Sequence, residues 1–468
     1  MALVAGVDSS TQSTKIEIRD LESGELVNSA SAPHPSTTPP CSEQDPATWL
    51  AAFHSAWQQV GSPSVSAISI AGQQHGMVVL DSNRQTIRPA KLWNDTESAA
   101  DAAWLAKQLP DGPPAWASAV GSVPVAAFTV TKLSWLHRSE PQHWKRLAHV
   151  LLPHDWLTMQ LTGEFVTDRG DASGTGYWSP HSGSYNMQVL AIVDGDRDWS
   201  TVLPRVADCR ESVGTWGSAT VACGTGDNMA AALGMGLQPG TAVISLGTSG
   251  TVFTVSPDPT SDGSGQVAGF ADATGRFLPL VCTLNATKVT DAVARLLGVD
   301  HEGFDALALH SDAAAGGITL LPYFDGERTP NRPNASGAAS GIRSDASREQ
   351  LARAAVNGVV CGLLDGLDAL QTFAAVDNVV IVGGGARSAA FRQAFADLCP
   401  LQVSVASADQ AVATGACVQA AAVALGSPHD DVMAAWGLGQ STPVGGGPIN
   451  ESAEIRARYA QLRAQQDQ

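Results

Sequence analysis

Two short hydroxyl-rich turns, far apart in the chain, carry the first chemical signal. Residues 4–18 read as an apolar strand, the turn Asp8-Ser9-Ser10-Thr11-Gln12, and a second β-rich strand bearing Lys15. Residues 242–253 repeat that plan around Gly247-Thr248-Ser249. Turns of this composition present backbone N–H groups and hydroxyls to an anion. A single copy is ordinary Asx- or Ser/Thr-turn chemistry and needs no function. Two copies, one in each half, point to related domains that hold one polyphosphate between them.

Carboxylates stand beside both turns. Gly224-Thr225-Gly226-Asp227-Asn228 follows the apolar run 219–223 and opens a small-residue helix at 229–236. Asp227 there can take a hydroxyl proton or touch a metal ion. The competing reading is an N-cap with no other role; its place just upstream of the second turn favours the chemistry. Asp8 can hold magnesium through water, since magnesium keeps most of its waters and takes few protein ligands. Lys15 lies outside the turn tip and is read as a phosphate contact against the alternative of a solvated strand charge.

Gly383-Gly384-Gly385-Ala386-Arg387-Ser388 reads as strand, glycine run, helix, whose first N–H groups suit an anion or a ribose. The dinucleotide pattern G-x-G-x-x-G and the P-loop pattern are both missing, so a nucleotide here binds by another scheme. Gly72-Gln73-Gln74-His75-Gly76 sets two hydrogen-bonding side chains, Gln74 and His75, between glycines, which suits a neutral polyol. A lone histidine in a tight turn is more often structural, but Trp93-Asn94-Asp95 adds an aromatic wall and further polar groups. The loop 321–330, with Asp325, Glu327 and Arg328, reads equally as a salt-bridged structural loop and as a functional one.

These groups need two scaffolds. A hairpin over residues 1–20, a third strand near 26–31, a helix over 45–60 with Trp49, Phe53 and Trp57 on one face, and a strand over 65–71 start a mixed sheet with helices on its faces. Residues 77–81 are expected to pair with that last strand as a hairpin. Residues 89–218 are less regular, hold most of the tryptophans and are expected to build a substrate cleft, with a helix over 131–138. The turn Leu237-Gln238-Pro239-Gly240 is the best boundary, which divides the chain into domains 1–237 and 238–468. The second half repeats the plan: hairpin 241–255, helices 285–297, 347–374, 388–398 and 411–425, strands 379–382 and 403–405, and a charged helix near the end.

A chain of 468 residues is long enough for two cores of ordinary size. A net charge of −18 argues against a nucleic-acid partner, because no basic surface offsets phosphate charge. Seven cysteines without a C-x-x-C pair suit reduced thiols in the cytoplasm. No stretch is long and apolar enough for a membrane span, and the chain enters a strand at once. The expectation is a cytoplasmic protein with neither a membrane nor a nucleic acid as partner.

The Asp8 hairpin, the Gly224–Asn228 segment, Ile244-Ser245-Leu246-Gly247-Thr248-Ser249-Gly250, the 322–330 loop and Val380–Ser388 occur in an order that resembles the FGGY carbohydrate kinases over nearly the whole chain. The resemblance implies an α/β fold of two ribonuclease H-like domains of the actin, hexokinase and Hsp70 superfamily, with mixed sheets flanked by helices and a cleft between them that closes on sugar binding. Gly72–Gly76, Leu92–Asp95, Leu151–Leu157 and Thr167–Thr175 are similar to the branch of that family that phosphorylates D-xylulose on its 5-hydroxyl with ATP and magnesium. The alternatives are a sister kinase for ribulose or another ketose or polyol, and a sugar sensor that binds nucleotide without transfer. By the resemblance, Asp227 is the catalytic base, and Gln74, His75, Trp93, Asn94 and Asp227 meet the sugar. Ser10, Thr11, Gln12, Lys15, Gly247, Thr248, Ser249, Gly384, Gly385 and Ser388 meet ATP, and Asp8 and Asp227 serve the metal. The C-terminal domain is then the ATP-binding one, and a homodimer is implied. Gln74 stands where the family commonly has methionine, and Thr96-Glu97 where an arginine often follows Trp-Asn-Asp.

Overall fold

The computed structural model describes residues 2–407 and 410–466. They form two compact units, one of Met1–Leu237, Pro257–Leu278 and Gln410–Gly439, the other of Gln238–Ser256, Pro279–Asp409 and Gln440–Gln468. The N-terminal unit thus takes in two segments from the second half of the chain.

Its sheet runs in the order Ser212–Trp216, Ala219–Ala222, Ala67–Gly72, Leu3–Ser9, Ser13–Asp20, Leu26–Pro33. The last three are an antiparallel meander. Ala67–Gly72 lies parallel to Leu3–Ser9, and Ala219–Ala222 parallel to Ala67–Gly72. The central strands read as continuous apolar runs because helices cover both faces: Ala67–Gly72 is buried at every position.

On one face the helix Pro46–Gln59 starts with Pro46 at its first turn and Asp45 accepting from the Ala47 N–H at 3.0 Å, a standard N-terminal signal. It buries Trp49, Phe53 and Trp57 in the core, each worth roughly 1.5–3 kcal/mol by area. On the other face lie Asp227–Gly234 and the distant Ala411–Leu425. Those two helices touch backbone to backbone. A Cβ on Gly415 would sit 1.8 Å from the Ala230 carbonyl oxygen, and one on Gly234 1.8 Å from that of Ala411. Small residues permit this approach, which is how a helix from the far end of the sequence comes to support the start of Asp227–Gly234.

The second unit repeats the sheet: Phe277–Thr283, Gly250–Thr254, Gly240–Leu246, Val376–Val382, Gln402–Ala406, Ser441–Pro443. Its first three strands are again an antiparallel meander, the next two run parallel to the first, and an antiparallel edge strand ends the series. The longest helix, Arg348–Gln371, opens on a capping box between Ser347 and Gln350 and buries an aliphatic face that includes Val356, Val359, Leu363 and Leu367.

One expected pairing is corrected. Val78–Leu80 pairs with His149–Leu151 and not with Ala67–Gly72. The reason is occupancy: both edges of Ala67–Gly72 already carry parallel neighbours. The expected helix over 131–138 is present as Thr129–Ser139, and that over 388–398 as Ala389–Leu398. Among the described residues, no single helix is long and apolar enough to cross a membrane.

Candidate active site

The first turn follows from strand register. Leu3–Ser9 and Ser13–Asp20 place Asp8 directly opposite Lys15. The turn Ser10–Gln12 closes with the Ser10 N–H donating to the Ser13 carbonyl at 3.0 Å. The Ser10 hydroxyl donates to Asp8 Oδ1. Burial pushes the Asp8 carboxyl up to about 6, against the lowering pull of that hydroxyl and of the Lys15 charge. Lys15 Nζ lies 3.9 Å from Glu17 Oε1 along its own strand. Gln12 is exposed, and its carbonyl accepts from the His34 N–H at 2.7 Å.

Asp227 comes to the same sheet end by a different route. Thr225–Gly226 pairs in parallel with Ala71 and Gly72, so the Asp227 helix and the Gln73–His75 loop leave neighbouring strands at one end. Asp227 is the first residue of Asp227–Gly234, after Gly226 at the cap position. A capping carboxylate belongs at the position Gly226 holds, so the capping role is not the one Asp227 fills. Its Oδ1 instead accepts from the Asn228 N–H at 2.8 Å and from Asn228 Nδ2 at 3.1 Å. Burial, then the charges of Asp8 and Asp171, push its carboxyl up to about 7.

The polyol loop and the tryptophan segment meet these residues. Gln74 Oε1 accepts from Asn228 Nδ2 at 2.7 Å. Trp93 Nε1 donates to Thr11 Oγ1 at 2.9 Å, and that hydroxyl donates to Gln73 Oε1 at 3.2 Å. Three segments far apart in sequence are thereby joined by side-chain hydrogen bonds. Gln73 Nε2, Gln74 Nε2 and Asn94 Oδ1 are buried without a hydrogen-bond partner. Buried polar groups are normally satisfied, so this trio of amide atoms is a set suited to the hydroxyls of a polar, neutral ligand. His75 has φ 67°, and its ring lies against Phe128 and Phe270, with centroids 5.0 and 5.5 Å away.

Beneath Trp93 and Asn94, Asp95 accepts from the Ser42 N–H at 2.9 Å and from Lys91 Nζ at 3.0 Å. Cys41, Glu43, Asp95 and Glu97 converge closely enough for a metal ion. The Lys91 ammonium already serves three of them, at 3.0 Å from Glu43, 3.0 Å from Asp95 and 2.5 Å from Glu97. The cluster is a buried cation with its counter-charges.

In the second unit, the turn Gly247–Ser249 closes with the Gly247 N–H donating to the Ser249 carbonyl at 3.1 Å. It rests on the start of Thr287–Leu297: the Gly247 carbonyl accepts from the Thr287 N–H at 3.0 Å and its hydroxyl at 3.0 Å. Gly383 (φ 88°) ends the strand Val376–Val382, and Gly385 lies so near Leu246 that a Cβ would meet the Leu246 Cβ at 2.8 Å. Gly384 has open space in front of it, with nothing within 4 Å of an added Cβ. The Ser388 hydroxyl is engaged, donating to Asp305 at 2.6 Å and accepting the Phe391 N–H at 3.1 Å as the cap of Ala389–Leu398.

The loop 321–330 differs from an internally paired one. Asp325 pairs with Lys288 of Thr287–Leu297 at 3.0 Å. Glu327 is buried and accepts from the Leu284 N–H at 2.6 Å, Asn285 Nδ2 at 2.9 Å and the Arg328 N–H at 2.7 Å. Chain N–H groups thus use its oxygens, because a buried carboxylate needs donors and these are the nearest.

Gln73, Asn228 and the buried carboxylate Asp171 are further neighbours of these groups that no local signal marks as such. Gln73 and Asn228 stand inside motifs already noticed. Asp171 stands within the 167–175 segment, and nothing local says that it faces Asp227.

A doubled sheet of this strand order, with a hydroxyl-rich turn in each copy and a half-buried carboxyl at a helix start, defines a two-domain α/β sugar kinase fold of the actin, hexokinase and Hsp70 type. The model of the FGGY family of carbohydrate kinases, N-terminal domain, matches residues 3–249, and that of its C-terminal domain residues 242–424. The chain is 44% identical over 465 residues to a protein of Streptomyces rubiginosus described as xylulose kinase, covering 97% of this chain and 93% of that one. It is 34% identical over 420 residues to the xylulose kinase of Escherichia coli, covering 85% of each. The crystal structure of xylulose kinase from Bifidobacterium adolescentis superposes with a TM-score of 0.89 at 39% identity, covering 99% of both chains. The chain belongs to the FGGY family of carbohydrate kinases.

Proposed function

We propose that this chain is an enzyme that transfers the γ-phosphoryl group of ATP to the 5-hydroxyl of D-xylulose. Family membership supports the reaction class, and relatives described as xylulose kinase support the sugar. The observation that carries the reading is local: a carboxyl pushed up to about 7 shares Asn228 with Gln74, whose amide nitrogen is buried and unpartnered.

Asp227 takes the hydroxyl proton as the sugar oxygen attacks phosphorus. A base with a pKa near the working pH is the efficient choice, and such a base contributes about 10²–10⁴-fold. Gln74, His75, Trp93 and Asn94 hold and orient the sugar. Ser10, Thr11, Gln12 and Lys15 contact the γ-phosphoryl group as it passes to the sugar oxygen, and Gly247, Thr248 and Ser249 hold the inner phosphates that leave as ADP. Gly384 and Gly385 line the adenosine, with Ser388 capping the helix behind them. Sugar, base and the contacts to the γ-phosphoryl group thus belong to residues 1–237, and the rest of the ATP site to 238–468.

Magnesium fits the donor set, because the Asp8 charge raises the pKa of the half-buried Asp227 carboxyl and a divalent cation relieves that repulsion. Bound to ATP, it supplies neutralisation of phosphate charge. Action in the cytoplasm and assembly as a homodimer belong to the same reading; light scattering on the eluting protein tests the dimer. The decisive test is a coupled ADP-release assay over D-xylulose, D-ribulose, other ketoses and polyols with ATP. The expected result is turnover highest on D-xylulose. Highest turnover on ribulose or glycerol overturns the sugar, and no turnover on any of them overturns the enzyme.

A further inference from the structure

His154 is a fully buried ring that the proposed reaction does not use. It is the second residue of the helix Pro153–Thr162. Its Nδ1 lies 2.9 Å from Asp171 Oδ2, and its Nε2 lies 3.1 Å from Asp155 Oδ1 and 3.6 Å from Asp168 Oδ1. The Nδ1 hydrogen bond to Asp171, and the two carboxylates within ion-pair distance of Nε2, which itself makes no hydrogen bond, favour the imidazolium. Burial opposes that charge, but Asp155, Asp171 and Asp168 outweigh it and hold the imidazole at about 9.

The surroundings of this cation connect it to both loops of the first unit. A Cβ on Gly72 would lie 3.0 Å from the His154 Cβ, and one on Gly224 (φ 78°) 2.6 Å from its Cδ2. The ring is therefore wedged between the strand ends that lead to Gln73–His75 and to Asp227. The carboxylates reach outward from it. Asp171 accepts the backbone N–H of His75, the residue with positive φ. Asp168 Oδ2 accepts from Thr225 Oγ1 at 2.7 Å, two residues before Asp227. Three buried carboxylates held together around one cation lose their arrangement when that cation is removed, because the charges left behind are uncompensated.

We propose that His154 is a positioning residue, a buried cation that sets the sugar loop at His75 and the base loop at Asp227 in one fixed geometry through Asp171 and Asp168. The inference rests on the reading of those two loops as sugar and base sites. It predicts a graded response to charge. His154→Gln lowers kcat by about 100-fold and raises KM for the ketose, while KM for ATP stays within about twofold, since misplacement of about 1 Å costs on that order. His154→Lys, which returns a cation, recovers at least about tenfold of the lost kcat. Thr225→Val, isosteric and without the hydroxyl, removes one outward bond alone and lowers kcat by roughly 3- to 10-fold.

Steady-state kinetics of the full-length variants, with melting temperatures alongside, decide the matter. A folded His154→Gln protein with wild-type constants overturns the proposal, as do equal losses in the Gln and Lys variants. Should the Gln variant fail to fold, wild-type kcat in Thr225→Val overturns it. A wild-type protein inactive on every sugar sinks the functional reading; an active wild type with indifferent variants sinks this inference alone.

Discussion

In each sheet, the loop after the strand that lies parallel to the first strand of the meander occupies one topological position and carries opposite chemistry. In the first unit, Ala67–Gly72 runs into Gln73-Gln74-His75, amides and an imidazole, with two amide nitrogens buried and unpartnered. In the second, Val376–Val382 runs into Gly383-Gly384-Gly385, backbone without side chains. The turns between the first and second strands differ in the same way. Ser10–Gln12 sits beside the half-buried Asp8, whereas Gly247–Ser249 is anchored through its carbonyls on the start of the helix Thr287–Leu297. The strand ends of the first unit thus offer side-chain donors and carboxyls where those of the second offer bare backbone. Side-chain donors and carboxyls suit a sugar hydroxyl; bare backbone suits phosphate and a flat base.

The sharpest way to break this contrast is Asp227→Asn, which keeps size and removes the base. It is expected to lower kcat by about 10²–10⁴-fold with ATP affinity, measured by calorimetry, nearly unchanged; near-normal turnover would move the base elsewhere. The same carboxyl offers a direct titration. Burial favours its neutral form, so carbon NMR of the ligand-free protein should show Asp227 protonated well below pH 7 and ionised above it, with a midpoint about 7. A midpoint below about 5, in the ordinary carboxylate range, would remove the electrostatic half of the argument.

The loops after Ala67–Gly72 and Val376–Val382 can then be set against each other. Gly384→Val meets no protein atom within 4 Å of its Cβ, so the fold tolerates it. A valine facing adenosine is overpacked by at least about 1.4 kcal/mol, and KM for ATP should rise about tenfold or more while KM for the sugar holds. Gln74→Leu should do the reverse and more weakly, raising KM for the sugar by roughly 3- to 10-fold, the worth of one hydrogen bond. If both substitutions move the same constant, the division of labour between the loops is wrong. The smallest effect belongs to Ser388→Ala. Loss of a helix cap costs about 1 kcal/mol, read as a modest fall in melting temperature with KM for ATP unchanged. A large rise in that KM would return Ser388 to the nucleotide site.

Much of the molecule was legible in its residues, and for physical reasons. The two hairpins combine β-branched alternation with Ser, Thr and Gly turns, both local signals. The helix Ala411–Leu425 has the expected bounds. Its place against Gly6 and Asp227–Gly234 in the first unit was not legible, because small residues permit close approach without naming the partner. Val78–Leu80 was a recognisable strand with the wrong expected neighbour, since strand choice depends on which edges remain open. The role of Glu327 was hidden likewise: its donors come from Leu284, Asn285 and Arg328, and only Arg328 adjoins it in sequence.

By itself, the sequence determined the duplicated strand–turn–strand plan and the donor and carboxyl groups that each turn and loop offers, among them Asp227, Gln74, His75, Trp93 and Asn94. These follow from local composition, which the chain carries wherever it folds. Tertiary structure decided the rest. It put Asp227 inside the helix start and not at its cap, through the pairing of Thr225–Gly226 with Ala71 and Gly72. It set Asp8 and Asp171 near enough to raise the Asp227 pKa. It also closed Asp155, Asp168 and Asp171 around His154. Charge acts through space at close range, and only the folded chain fixes which charges are close.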